Sequence, residues 1–134
     1  MKNSKHLSEN EIAREIVDAA YKIHTATGPG LLESAYSAML ERELTRRGLR
    51  VQMEHPIPLI YQGETLNQVA YRADMIINDK VIVELKSIEK VAPVHKKQLL
   101  TYLKLADMRL GLLINFGAPL IKHGITRIVN GLPE

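Results

Sequence analysis

The stretch AYRADMIINDKVIVELKSI, from Ala70 to Ile88, constrains the fold more than any other part of the sequence. Two apolar runs, residues 75–77 and 81–83, flank the polar tripeptide at 78–80. This pattern is typical of two antiparallel strands joined by a tight turn, because β-branched residues favour strands and short polar runs favour turns. Charged side chains interrupt the otherwise apolar hairpin, so their positions decide what the hairpin can do.

The length of the turn decides which side chains share a face. With a three-residue loop, Ile77 pairs with Val81 and Asp74 faces Glu84, whereas a two-residue loop would place these carboxylates on opposite faces. The three-residue register also creates one wholly apolar face, made of Met75, Ile77, Val81, Val83 and Leu85. The other face gathers charges at one end, namely Arg72, Asp74, Glu84 and Lys86. The sequence therefore predicts the three-residue register and a charged site.

Two facing carboxylates make this end of the hairpin a candidate metal site. Like charges held close together repel each other, and a divalent cation between them relieves the repulsion. Carboxylate oxygens suit Mg²⁺ or Mn²⁺ better than zinc, and the chain has no cysteine that could offer a thiolate. Lys86, two residues after Glu84, lies on the same face. The alternative is a hairpin edge with solvated charges, and the local pattern leaves both interpretations open.

The spacing of Asp74, Glu84 and Lys86 resembles the D…(D/E)xK core of the PD-(D/E)XK nuclease superfamily. Ala73 stands where that family usually has a proline, and this proline is not a ligand. The motif is short, and the combination ExK also occurs by chance in charged strands. Further motifs are therefore needed to support the resemblance.

A second motif, GLLESAY at residues 30–36, resembles the signature of the GxxExxY proteins, which are placed within the same superfamily. It requires three features to coincide: a glycine turn, the first-turn glutamate Glu33, and Tyr36 one helical turn later. The alternative role for Glu33 is that of a carboxylate stabilised by the helix macrodipole. His24, just before the turn, is a weaker candidate for a metal ligand than Glu33.

A third motif follows the hairpin on a predicted helix. Gln98 and Tyr102 resemble the QxxxY element that follows ExK in the exonuclease-like branches of the superfamily. Residues four apart share a helix face, so both side chains are expected to look toward the carboxylates together. The resemblance implies that they bind substrate. The alternative is a partly buried tyrosine with a polar neighbour.

The rest of the chain predicts helices and strands in a recognisable order. Ser8 followed by Glu11 is a capping-box pattern, and helix two is expected to bury Leu32 with the apolar residues that follow it. Pro56 and Pro58 belong at a sheet edge or a bend. Besides the hairpin, we expect helices from about residue 8 or 10 to the glycine turn at 28–30, from 31 to 47 and from 93 to 106, and strands at 51–61, 109–116 and 125–129. This order resembles the mixed α/β (α+β) restriction-endonuclease-like fold, an αβββαβ core with an additional N-terminal helix.

Composition indicates an ordinary globular chain. The 134 residues are 46% hydrophobic and 25% charged, with a formal net charge of +3. This size predicts a single domain over residues 9–134, after a disordered leader at 1–8. No apolar run approaches a membrane span and the first residues lack a signal-peptide core, so we expect a cytoplasmic protein.

The resemblance implies a divalent-metal-dependent nuclease that hydrolyses phosphodiester bonds, with DNA favoured over RNA as the substrate. Asp74, Glu84 and the Leu85 carbonyl would hold Mg²⁺ or Mn²⁺, and Glu33 would add a direct or water-bridged ligand. Lys86 would position the attacking water and stabilise charge. Two alternatives remain open at this stage: a nucleic-acid-binding or regulatory protein that keeps the fold without catalysis, and a structural cluster of ion pairs.

Overall fold

In the part of the chain that the structure describes, four helices and five strands build a mixed α/β fold. The computed structural model describes residues 6–133, except for the side chain of Val69. In chain order the elements are α1 (Glu9–Thr27), α2 (Glu33–Arg46), β1 (Val51–Tyr61), β2 (Glu64–Ile77), β3 (Val81–Lys86), α3 (Pro93–Ala106), β4 (Leu110–Asn115), α4 (Ile121–Gly124) and β5 (Ile125–Val129). The strands form one sheet in the order β1-β2-β3-β4-β5, in which only the β3–β4 pair is parallel. The predicted element order is confirmed, and the short α4 is not among the predicted elements.

Helices cover both faces of the sheet. The larger apolar cluster joins α1 and α2 to one face, and its fully buried members include Ile12, Ile16, Leu40 and Leu44. The smaller cluster packs α3 against the opposite face through Leu99 and Leu103. Because β3 and β4 are enclosed between the two layers, both read as nearly continuous apolar runs. Among the described residues, no helix has the length and apolar character needed to cross a membrane.

The start of α1 follows the predicted capping box. Ser8 Oγ accepts from the Glu11 N–H at 3.2 Å, and the Ser8 N–H donates to Glu11 Oε1 at 3.0 Å. Of the expected leader at 1–8, residues 1–5 lie outside the described part of the chain. Leu7 packs against the larger apolar cluster, and its carbonyl accepts from Lys80 Nζ at 2.7 Å.

Helix α2 begins at Glu33 and not at Leu31, which corrects the prediction for Leu32. Leu32 is the N-cap, with an extended backbone at ψ 149°, and its side chain is 76% exposed. A residue before the first helical turn does not share the apolar face of the helix, so Leu32 contributes nothing to the core. The buried side of α2 is formed by Tyr36, Leu40 and Leu44.

The central hairpin has the predicted register. Ile77 pairs with Val81, and Met75 pairs with Val83. Asn78 and Asp79 in the loop have positive φ values of 52° and 56°, which these two residue types adopt more readily than most. All five residues of the predicted apolar face belong to the larger cluster: Met75, Ile77, Val81, Val83 and Leu85.

Strand β2 changes the face that it presents to the core at Asp74. Met75 and Ile77 pack in the cluster of α1 and α2, whereas Tyr71 and Ala73 pack in the cluster of α3. Strict alternation would place these four side chains on the same face. The strand therefore turns over between Ala73 and Met75.

The neighbouring strand β1 turns over at the same level. Met53 packs in the larger cluster and Ile57 in the smaller one, and Glu54 between them has a φ of 46°. Strict alternation predicted that Arg72 shares the face of Glu84 and Lys86. Because the faces are exchanged beyond this point, Arg72 lies on the other face of the sheet, where it is exposed. β1 is an edge strand with a register shift after Pro58, which confirms the expected edge or bend.

A buried asparagine holds the chain that leaves β3. Asn115, 3% exposed, accepts from the N–H groups of Ile88 and Gly117 at 3.0 Å each and donates to the Ile88 carbonyl at 2.9 Å. A Cβ at Gly117 would lie 2.2 Å from the Ile88 carbonyl oxygen. This close approach fixes the segment directly after Lys86.

We expect Gly117→Ala to lower the free energy of unfolding by about 1–3 kcal/mol, because the clash is with backbone and a side chain cannot move to relieve it. Gly30→Ala is the control, since a Cβ at Gly30 would meet no atom within 4 Å. Urea denaturation measures both variants, and equal free energies of unfolding would contradict the proposed close approach.

Candidate active site

Backbone N–H groups hold the carboxylates of Asp74 and Glu84 where β2 and β3 part. The backbone pairing of these strands extends from the loop as far as Met75 and Val83. Beyond it, the Asp74 N–H donates to Glu84 Oε2 at 2.8 Å, and the Leu85 N–H donates to Asp74 Oδ2 at 2.8 Å. The predicted facing of Asp74 and Glu84 is therefore present in the structure. Backbone groups hold both carboxylates in place.

Glu84 is buried, whereas Asp74 is half buried and lines a cleft. Glu84 is 9% exposed. Burial, followed by the charge of Asp74 and a hydrogen bond between the two carboxyl groups, raises the pKa of Glu84 to about 8, and the charge of Lys86 opposes this rise. Near neutral pH the pair consequently retains a proton unless a cation replaces it. A divalent ion is such a cation.

Lys86 lies at the end of β3, half buried and opposite Asn115 on β4. Its backbone carbonyl accepts from the Phe116 N–H at 2.9 Å. Within residues 6–133 its ammonium group forms no ion pair within 4 Å and no hydrogen bond. The group is therefore free to meet an anion beside the carboxylates.

Glu33 lines the same cleft as Asp74. The cleft has a volume of about 480 Å³ and is also lined by Leu85, Glu41 and Glu54. In the described part of the chain, no three carboxylate or imidazole groups are arranged to hold a metal ion together. The structure thus brings Glu33 to the cleft but does not place it in a preformed ligand set with Asp74 and Glu84.

Sequence reasoning missed the carboxylates of Glu41 and Glu54 in this cleft. Glu41 lies two helical turns after Glu33, so the i, i+4, i+8 spacing could have revealed that they share a face. Glu54 belongs to another strand, and only the pairing of β1 with β2 places it beside Asp74. No lysine or arginine is among the described residues that line the cleft. The cleft is therefore acidic, so it attracts cations and repels phosphate.

Of the two predicted residues on α3, Tyr102 is near the carboxylates, and Gln98 is bonded to its hydroxyl. Gln98 Nε2 donates to the Tyr102 hydroxyl at 2.9 Å. Burial, followed by the charges of Glu84 and Asp74, raises the pKa of Tyr102, and the hydrogen bond from Gln98 opposes this rise. Tyr102 is only 5% exposed, whereas Gln98 is exposed. Of the two, Gln98 is the residue with a side chain accessible to a substrate.

His24 and Tyr36 have structural partners. His24 Nε2 lies 2.9 Å from the Ala118 carbonyl oxygen, a contact with backbone and not with the carboxylate pair. Tyr36 is fully buried in the larger cluster and does not line the cleft. The histidine alternative for the metal ligand receives no support from this geometry.

Comparison with known proteins agrees with the geometry. A model of the PD-(D/E)XK nuclease superfamily matches residues 10–128, a range that includes Glu33, Asp74, Glu84 and Lys86. No curated protein and no solved structure matches the chain. The narrower GxxExxY group stays a prediction from its motif. The match covers nearly the whole chain, and the chain therefore belongs to the PD-(D/E)XK nuclease superfamily.

Proposed function

We propose that the protein is a divalent-metal-dependent nuclease that hydrolyses phosphodiester bonds in DNA. The observation that carries this proposal is the pair of backbone hydrogen bonds that holds the two carboxylates, from the Asp74 N–H to Glu84 and from the Leu85 N–H to Asp74. Beside them lies Lys86, whose ammonium group forms no ion pair within residues 6–133. Membership of the nuclease superfamily supports the same chemistry and a nucleic-acid substrate. The preference for DNA over RNA is part of the proposal.

The donor atoms fit Mg²⁺ or Mn²⁺. Asp74 and Glu84 offer carboxylate oxygens, Leu85 offers a backbone carbonyl on the same cleft, and hard oxygen donors of this kind suit both ions. The raised pKa of Glu84 supports the fit, because the pair needs a positive charge to be fully ionised. When bound, the ion would stabilise negative charge on the phosphate and activate water. Glu33 would reach it through water, since Mg²⁺ keeps several waters when bound to proteins.

The remaining residues act on the substrate. The ammonium group of Lys86 would hold the attacking water and stabilise the charge that develops on the phosphoryl oxygens. The exposed amide of Gln98 would contact the nucleic acid, while buried Tyr102 would fix the position of that amide. Asp74 and Glu84 need not move to act, because the backbone N–H groups of β2 and β3 already orient them.

The acidic cleft argues against a protein that binds nucleic acid without a metal. Glu33, Glu41, Glu54 and Asp74 would repel a phosphate backbone unless cations compensate their charge. Substrate binding in this cleft should therefore depend on divalent ions. This dependence separates the proposed nuclease from the metal-free alternative.

The proposed substrate class can be tested with labelled single-stranded DNA, double-stranded DNA and RNA, each incubated with Mg²⁺, Mn²⁺ or a chelator. We expect cleavage of DNA with either ion and none with the chelator. Cleavage of RNA alone would replace the proposed substrate. Metal-dependent binding without cleavage would contradict catalysis.

We expect Lys86→Ala to lower the rate of cleavage by about 10²-fold or more, because it removes an electrostatic contact to the transition state. The variant should still bind Mn²⁺, measured as the rise in melting temperature on titration. Lys104→Ala, on the exposed side of α3, is the matched control and should cleave at the wild-type rate. An unchanged rate for Lys86→Ala would remove this lysine from the mechanism.

The carboxylate pair should make the metal-free protein sensitive to pH. In the native state the pKa of Glu84 is raised from 4.5 to about 8, so the unfolded chain releases this proton at lower pH. The free energy of unfolding should therefore fall as pH rises from about 4.5 to 8, by at most ~1.4 kcal/mol per pH unit. A glutamine at position 84 does not titrate, so the free energy of unfolding of Glu84→Gln should fall less over this pH range. The substitution should therefore stabilise the protein more at pH 9 than at pH 5.

Denaturation in a chelator at both pH values measures this effect, with the exposed Glu89→Gln as the control. Asp74→Asn and Glu84→Gln should also abolish the rise in melting temperature that Mn²⁺ causes. If Glu84→Gln showed the wild-type pH dependence of stability, titration of Glu84 would not be the cause of that dependence.

A further inference from the structure

The hydroxyl of Tyr36 closes the turn that leads into α2. It donates to the Gly28 carbonyl and accepts from the Leu31 N–H at 3.1 Å. The N-cap residue, Leu32, offers no side-chain cap. The position at which α2 starts, and with it the place of Glu33, is therefore set by a tyrosine one helical turn further along.

Ser87 holds the same turn from the side of the sheet. Its Oγ donates to the Leu31 carbonyl at 2.6 Å, and Ser87 is the residue directly after Lys86. The two backbone polar groups of Leu31 are thus both occupied, the N–H by Tyr36 and the carbonyl by Ser87. Leu31 links the glutamate-bearing turn to the end of β3.

The ring of Tyr36 makes a second connection to β3. It stacks on Phe116, with ring centroids 4.4 Å apart and an interplanar angle of 6°. The Phe116 N–H in turn donates to the Lys86 carbonyl at 2.9 Å. Tyr36, Leu31, Ser87, Lys86 and Phe116 consequently form a closed circuit, which we call the brace.

We propose that Tyr36 and Ser87 are positioning residues that set Glu33 and Lys86 relative to the Asp74–Glu84 pair; this inference rests on the proposed nuclease function. The packing of the core does not require the hydroxyl group of either residue. A phenylalanine at position 36 would fill the same space, and the bond of Ser87 lies at the surface. What the two hydroxyl groups add is a fixed distance between the start of α2 and the end of β3.

A purely structural role for these hydroxyl groups predicts little effect on activity. Leu31 is exposed and the bond of Ser87 lies at the surface, so water can replace the hydrogen bond that Ser87→Ala loses, and the melting temperature of this variant should change little. Tyr36→Phe removes a fully buried hydroxyl and should lower the melting temperature, so its kcat is measured at a temperature at which the variant is folded. The positioning role predicts a large effect on turnover, because small displacements of catalytic groups are costly.

The test compares Tyr36→Phe, Ser87→Ala and the double variant with the wild type. We expect each single change to lower kcat about tenfold or more, with KM for the DNA substrate nearly unchanged. The double variant should lose less than the product of the two effects, since both hydroxyl groups hold the same residue, Leu31. Ser87→Thr restores a hydroxyl and should recover most of the activity. Tyr21→Phe, on the exposed side of α1, is the control.

Wild-type kcat in folded Tyr36→Phe and Ser87→Ala would overturn the inference and leave the proposed function intact. If Tyr36→Phe does not fold, Ser87→Ala and Ser87→Thr decide the question, because that bond lies at the surface. If the wild type binds Mn²⁺ but cleaves no nucleic acid, the proposed function fails by itself. The brace is then judged by Mn²⁺ affinity, which we expect both variants to weaken about tenfold; unchanged affinity would overturn it.

Discussion

The proposed site depends on two backbone hydrogen bonds, one from the Asp74 N–H to the Glu84 carboxylate and one from the Leu85 N–H to the Asp74 carboxylate. Strand β2 turns over at Asp74, and there two carboxylates receive N–H groups of β2 and β3. The same contacts satisfy the backbone and hold the carboxylates close together. Holding two carboxylates this close is unfavourable when both are ionised, and this repulsion, together with burial, raises the pKa of Glu84. A divalent cation would offset the repulsion.

The charges around this pair have opposite signs on the two sides of the proposed site. The cleft that Glu33 and Asp74 line is acidic, whereas Lys86 lies at the end of β3 and forms no ion pair within the described part of the chain. A phosphate would be attracted only where the bound ion and Lys86 act together. The relative placement of α2 and β3 therefore matters, and the proposed brace through Tyr36 and Ser87 would set it.

Local patterns were sufficient to predict the central register and every element except the short α4. The capping box at Ser8 and the three-residue loop each depend only on residues that are close in the sequence. Counting residues outward from the loop was therefore enough to predict that Asp74 and Glu84 lie opposite each other. The change of face at Glu54 and Asp74 depends on a positive φ and on the packing of α3, neither of which alternation reveals. For that reason the sequence predicted the wrong face for Arg72 and did not predict Glu54 as a residue of the cleft. The motif identified Tyr36, but only the fold shows what its hydroxyl holds.

The central claim is that Asp74 and Glu84 together bind a divalent ion. Anomalous diffraction from crystals soaked with Mn²⁺ tests it most directly, because the signal locates the ion without reference to activity. We expect an anomalous peak within roughly 2 to 2.5 Å of one oxygen atom of Asp74 and one oxygen atom of Glu84. A peak elsewhere, or none at Mn²⁺ concentrations that support cleavage, would contradict it.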